Sequence, residues 1–269
     1  MNEILIPIAI VGGTGLLFGC LLAFASIIFK VSKDERIEMI EKALPGANCG
    51  ACGFAGCSAY ASAVVEKDAP VSMCSVGKDA VAKEIATIMG KEAEKVEKMV
   101  ARVMCAGTCG VADTKYEYAG IADCTAEAKL AGGAKACAYG CLGLGSCIKV
   151  CKFDAISIVD GIAYIDEEKC QACGMCLKAC PKQVIKFVPL KNKVWVPCNS
   201  NDVGKETIAN CKAGCIGCKI CEKTCPVQAI QVIDNHAIID YEKCISCGLC
   251  ADKCPKKLIH KGKSEGIGI

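Results

Sequence analysis

The chain has 269 residues and a formal net charge of +3; 26 residues are cysteine, two are histidine and 5% are aromatic. Its length allows two or three compact units, and the shortage of histidine excludes a His-rich zinc enzyme and histidine-centred acid–base catalysis. The charge excludes no class of partner: a metal-bound cysteine is a thiolate, and five four-thiolate sites around 2+ iron–sulfur cores would take the chain to about −7.

From Ile4 to Phe29 there is no Asp, Glu, Lys or Arg. At about 1.5 Å per residue a helix of that run spans about 39 Å, more than the ~30 Å hydrocarbon core, so residues 1–31 are predicted to form a transmembrane anchor. A cleaved signal peptide is the rival, but Met1-Asn2-Glu3 has no positive n-region and the run exceeds the roughly 7–15 apolar residues of such a segment. Lys30, Lys33 and Arg36 follow the run while only Glu3 precedes it, which places the rest of the chain in the cytoplasm. Gly12, Gly13, Gly15 and Gly19 offer a small-residue face to another helix, or are simply membrane-span composition. Cys20 reads as a small apolar residue. In a reducing cytoplasm the other cysteines read as metal ligands rather than disulfides.

Residues 32–100 are expected to form a small, mostly helical domain with a helical connector. Asp34 to Leu44 is an amphipathic pattern with Ile37, Ile40 and Leu44 on one face, stopped by Pro45-Gly46. Cys49, Cys52 and Cys57 then share one loop, with Cys74 arriving after a helix over Ser58–Glu66. Gly50, Gly53 and Gly56 let the backbone curl around a bulky inorganic core, so the four thiolates are assigned to a [4Fe–4S] cluster. Zinc is the alternative, although its structural sites usually pair two separate CxxC knuckles. Ser75–Met89 and Lys91–Met104 read as helical. The run from Leu44 to Cys57, following one membrane helix, resembles the B subunit of the Rnf complex, and the small domain is similar to one found in corrinoid iron–sulfur proteins.

The rest of the chain is a tandem duplication with an offset of 74 residues. Cys124, Cys137, Cys141, Cys147, Cys151, Cys170, Cys173, Cys176 and Cys180 match Cys198, Cys211, Cys215, Cys221, Cys225, Cys244, Cys247, Cys250 and Cys254. These are read as two bacterial-ferredoxin-like units, 101–193 and 194–269. In the second, two complete CxxCxxCxxxCP runs predict crossed ligation, with the fourth cysteine of each run serving the other cluster. Cys215, Cys218, Cys221 and Cys254 form one set; Cys225, Cys244, Cys247 and Cys250 form the other. Between the runs, Ile230 to Asp240 alternates around Asp234-Asn235, a hairpin that would roof the clusters.

The first unit departs from this pattern. Cys151, Cys170, Cys173 and Cys176 make a full set, but Leu144 stands where Cys218 stands in the second unit. Cys141, Cys147 and Cys180 therefore lack a fourth ligand. Cys137 is the expected substitute; a three-iron or missing cluster is the rival. Against substitution, Cys211 matches Cys137 in the unit that needs none. The segment Gly140 to Gly145 resembles one in longer Rnf B subunits. Cys105, Cys109, Cys124, Cys198 and Cys211 stay unassigned, either buried free thiols or, for Cys105, Cys109 and Cys124, part of a sixth cluster.

No Walker-type loop occurs, and Gly12 to Gly15 lies within the predicted span. His236 and His260 are read as surface residues. Lys253, Lys256, Lys257, Lys261 and Lys263 form a basic tail, a solvated face or a dock for an acidic ferredoxin. The fold class is thus α+β: one membrane helix, a helical [4Fe–4S] domain and two ferredoxin-like units, a wire of about five clusters without a substrate site. The Rnf resemblance implies electrons drawn from reduced ferredoxin and passed toward NAD with export of Na⁺ or H⁺. It also implies other subunits that handle NAD and flavin, no nucleic acid, and a single-pass location in the bacterial inner membrane. The alternatives are a component of another membrane oxidoreductase and a zinc-stabilised interaction protein.

Overall fold

The computed structural model of the chain describes residues 12–24, 34–92 and 97–262. Residues 12–24 form helix α1, exposed throughout, with Leu16, Leu17, Phe18, Leu21, Leu22 and Phe24 facing outward. Among the described residues no helix is long and apolar enough to cross a membrane. The remainder of the predicted span, together with Lys30 and Lys33, lies outside them.

Three helices build the next unit: α2 (Glu35–Ala43), α3 (Cys57–Glu66) and α4 (Lys78–Met89). Asp34 caps α2 by accepting from the Arg36 N–H, and the Arg36 guanidinium and N–H together hold its carboxyl at about 2. Ile37, Ile40 and Leu44, spaced three and four apart, bury against Tyr60, Val64 and Ile85. The Tyr60 hydroxyl donates to Pro70 O at 2.7 Å and accepts from the Met73 N–H at 3.3 Å. That pair of bonds pins the return loop and sets the next residue, Cys74, facing the α2–α3 loop.

Met99–Val103, expected to be helical, is strand β1, antiparallel to β4 (Ile185–Pro189) from Met99↔Pro189 to Val103↔Ile185. Here the tertiary partner overrides helix propensity: Met-Val-Ala-Arg-Val is rich in β-branched residues and buries Val100, Ala101, Arg102 and Val103 together. The first ferredoxin-like unit thus takes in residues from the expected connector.

The duplication is visible in the elements. Short helices α5 (Cys124–Ala128) and α8 (Gly204–Asn210) precede Cys137 and Cys211, the first of the closely spaced cysteines in each copy. Hairpin β2 (Ile156–Val159) and β3 (Ile162–Ile165) recurs as β6 (Ile230–Ile233) and β7 (His236–Ile239). Both turn residues have positive φ in each copy, Asp160-Gly161 and Asp234-Asn235, the tight turn that suits twisted strands. Helices α6 (Ser146–Lys149) and α7 (Met175–Ala179) recur as α9 (Ile220–Thr224) and α10 (Leu249–Asp252). The pair β5 (Val194–Trp195) and β8 (His260–Lys261) closes the second unit as β1 and β4 close the first.

The two units interlock. The loop after β1 leaves the first unit and bonds to the second, with Asp113 N–H donating to Asn210 O at 3.0 Å and Lys212 N–H to Val111 O at 2.9 Å. Arg102, 3% exposed, reaches from β1 to Glu167 at 2.6 Å and lies 3.8 Å above the Trp195 ring of the second unit. Burial lowers the Arg102 pKa, and Glu167 works against that shift. Arg102→Ala would leave a poorly hydrated carboxylate without this partner, so it should destabilise the joined units by about 3–5 kcal/mol. Anaerobic urea titration should show the lower midpoint, and Arg102→Lys should recover only part of the loss because it restores charge without stacking.

Candidate metal centres

All 26 cysteines are free thiols. In the second unit Cys215, Cys218, Cys221 and Cys254 line one cavity of about 370 Å³, beside Val232, Leu258 and Ile259. Cys225, Cys244, Cys247 and Cys250 line another of about 340 Å³, beside Ile230 and Ile239. In each cavity the fourth cysteine of one run stands with the first three of the other. The loops reach this geometry through left-handed backbone. Gly217 has φ +64, and a Cβ there would fall 2.9 Å from Asn235 O. Burial first, then neighbouring thiols, pushes Cys221 up to about 12 and Cys250 up to about 11. These thiols stay protonated at neutral pH until a metal displaces the proton.

In the first unit Cys151, Cys170 and Cys176 pack on the core formed by Ile156, Ile165 and Ile185. Cys176 is pushed up to about 12, by burial and then by Cys170, Cys173, Cys147 and Cys151. Burial also raises Cys173, and its leading neighbouring thiol is Cys49 of the helical domain. Lys152 Nζ donates to Ala47 O at 2.9 Å, so the two units meet at this point.

Cys49 and Cys52 sit on the α2–α3 loop, which curls through Asn48, Gly50 and Gly53, all at positive φ, and Cys57 opens α3. Asn48 Oδ1 accepts from the Cys57 N–H at 2.8 Å and holds the loop closed. Cys74 is raised by burial and then by Cys57 and Cys52, and its sulfur accepts from the Gly77 N–H at 3.3 Å.

Cys141, Cys147 and Cys180 all pack on the first-unit core. Cys137, the expected fourth member of their set, instead lines a cavity with Cys105, Cys198 and Cys211. Cys124 stands nearer the gap: its N–H donates to Ser146 Oγ at 2.7 Å, next to Cys147. Cys147 is pushed up to about 11 by burial, then by Cys124 and Cys180. Cys109 is exposed. His236, expected at the surface, is 6% exposed in the hairpin, and burial lowers its pKa, so it is a neutral packing residue. His260 is half-buried with its ring centroid 4.2 Å from that of Trp195.

Among the described residues no three cysteine, histidine or carboxylate groups converge on the position of a single metal ion. Four thiols spread around a cavity suit a four-iron body, which offers a separate iron to each thiolate.

Three family models match: "Putative Fe-S cluster" over residues 44–76, "4Fe-4S binding domain" over 163–186 and "4Fe-4S dicluster domain" over 214–259. The chain is 47% identical over 244 residues to the B subunit of the Na(+)-translocating ferredoxin:NAD(+) oxidoreductase complex of Acetobacterium woodii, covering 90% of this chain and 73% of that one. It is 45% identical to the B subunit of the ion-translocating oxidoreductase complex of Methanosarcina acetivorans, covering 90% and 93%. With the B subunit of the proton-translocating ferredoxin:NAD(+) oxidoreductase complex of Clostridium ljungdahlii it shares 44% identity, covering 89% and 85%. The chain belongs to this family of B subunits. Membership accounts for multiple iron–sulfur sites in one polypeptide, and the matched domains coincide with the helical unit and with parts of both ferredoxin-like units. The family models do not reach residues 101–162, where the departures from the ferredoxin pattern lie.

Proposed function

We propose that the chain is an iron–sulfur electron-transfer subunit of an ion-translocating ferredoxin:NAD oxidoreductase, held at the cytoplasmic face of the inner membrane by its N-terminal helix. The observation that carries this reading is the pair of cysteine-lined cavities in the second unit, each drawing on both ferredoxin runs. A bound [4Fe–4S] cluster stores and releases single electrons; the chain's task is to hold such sites in a row and keep water from them. Five sites are assigned: Cys49, Cys52, Cys57 and Cys74; Cys151, Cys170, Cys173 and Cys176; Cys215, Cys218, Cys221 and Cys254; Cys225, Cys244, Cys247 and Cys250; and Cys141, Cys147 and Cys180 completed by Cys124. NAD and flavin belong to other subunits.

The second unit is the entry end. Cys218 and Cys247 are exposed, whereas Cys173, at the position matching Cys247, is half-buried. Lys219, Lys253 and Lys257 are exposed around the same end, a basic face suited to an acidic ferredoxin. Lys261 is held by Asp252 at 2.9 Å, and Lys263 lies outside the described residues. Membranes containing the complex should reduce NAD with reduced ferredoxin at a rate that falls with ionic strength and collapses on deletion of this chain. A rate unaffected by the deletion would overturn the reading.

A further inference from the structure

A further cavity of about 450 Å³, lined by four cysteines, belongs to none of the five sites. Cys105 and Cys137 come to it from the first unit, Cys198 and Cys211 from the second. We propose that Cys105, Cys137, Cys198 and Cys211 hold a sixth [4Fe–4S] cluster, placed between the two ferredoxin-like units. The inference rests on the iron–sulfur reading above and extends it to four residues that no ferredoxin motif predicts.

The cavity is built like the two in the second unit. It is of similar size, is enclosed by apolar groups such as Met104, Ala106 and Ala213, and offers four thiols. Two glycines bring Cys105 close to Cys211 and to Cys137. A Cβ at Gly107 would stand 3.5 Å from Cys105 Sγ and 3.7 Å from Cys211 Sγ, and one at Gly140 would stand 3.8 Å from Cys105 Sγ and from Cys137 Cβ. Glycine at both positions leaves room for an inorganic core. Backbone donors are already aimed at the sulfurs: Gly107 N–H and Cys141 N–H reach Cys105 Sγ at 3.4 and 3.3 Å, and Cys215 N–H reaches Cys198 Sγ at 3.3 Å. Such bonds to sulfur stabilise the ligated thiolate and tune its cluster.

The site also explains a buried cation. Lys135, 8% exposed, lines the cavity with its ammonium on Gly107 O at 2.7 Å and Gly161 O at 3.0 Å. A buried charge needs a counter-charge, and four thiolates around a 2+ core supply about two negative charges.

Position gives the site its use. Cys105 Sγ accepts from the N–H of Cys141 in the neighbouring first-unit set, and Cys198 Sγ from the N–H of Cys215 in the neighbouring second-unit set. A cluster here joins two ferredoxin-like units that would otherwise be separate pairs. The cysteines then fall into six sets of four, with only Cys20 and Cys109 left over.

Iron, acid-labile sulfide and zinc are to be measured on the full chain, purified and reconstituted anaerobically. Wild type and a Cys109→Ser control should each hold about 24 irons with matching sulfide, and a Cys198→Ser/Cys211→Ser variant about 20. About 20 irons in the wild type, with or without one zinc, would overturn the proposal, as would a double variant that keeps the wild-type count. If the double variant fails to fold, the wild-type count alone decides. Neither count depends on ferredoxin or NAD: a chain with 24 irons that does not support NAD reduction would sink the functional reading and leave this site standing.

Discussion

A Cys57→Ala/Cys74→Ala chain should lose about four irons and keep the remaining clusters, while its complex loses ferredoxin-driven NAD reduction. The selectivity follows from the cores. Ile40, Tyr60, Val64 and Ile85 form a cluster of buried residues that contains no member of the ferredoxin-like cores. Its contacts with the first unit include the Lys152–Ala47 hydrogen bond and the approach of Cys49 to Cys173. Loss of the loop ligands therefore leaves the hairpins and crossed loops of the other units in place. The functional loss follows from order along the chain. The helical unit follows the N-terminal segment in the chain, whereas exposed Cys218 and Cys247 belong to the second ferredoxin-like unit, so with the proposed entry at that unit the helical unit would serve as the exit of the row. Reduction of the purified variant by ferredoxin should stay within about twofold of wild type, whereas NAD reduction by membranes should fall by at least tenfold, about 1.4 kcal/mol or more in effective barrier. Loss of every cluster would show that the units do not load independently.

What could be read in advance was whatever local chemistry dictates. Ile37, Ile40 and Leu44 gave α2 its buried face, Pro45-Gly46 its stop, and Asp234-Asn235 the hairpin turn, because each depends on neighbours within a few residues. The 74-residue offset carried the architecture of the first unit over from the second. What failed were cases decided at long range. Met99–Val103 followed an Ala-, Lys- and Glu-rich stretch and looked helical until β4, some 85 residues away, claimed it as a strand. His236 reads as a surface residue of the hairpin, yet its ring is covered. The grouping of Cys105 with Cys198 and Cys211 had no spacing signal at all, because these residues meet only when the loop after β1 pairs across the two units. One hint was available: Cys137 and Cys211 are repeat partners, and the second unit already had its full complement of motif ligands. A repeated position without a ferredoxin role pointed to a job shared between the copies.

The same logic makes position 144 a sharp test. Cys124→Ser should cost the first unit its incomplete-motif cluster, about four irons or, if a three-iron form survives, about one. Leu144→Cys added to that variant should restore the wild-type count, although the same change in the wild-type background should alter nothing. Rescue is expected because the backbone at Leu144 already curls as it does at Cys218. Gly143 and Gly145 both have φ +77, matching Gly217 at +64 and Lys219 at +59, so a thiol at 144 has the same approach as its counterpart. On the proposed assignment that approach is unused, and Cys124 would reach the site from its own helix, α5, whose first N–H groups are capped by Asp123. Asp123 also accepts from Ser146 Oγ at 2.9 Å, tying the helix start to the residue before Cys147. Asp123→Ala should therefore loosen the site, and Leu144→Cys should rescue that variant as well. If Cys137 were the fourth ligand, Cys124→Ser would leave iron unchanged, and Cys137→Ser would be the variant that Leu144→Cys repairs. With Cys137 committed to the cavity between the units, Cys137→Ser should instead cost a cluster that no cysteine at 144 can replace.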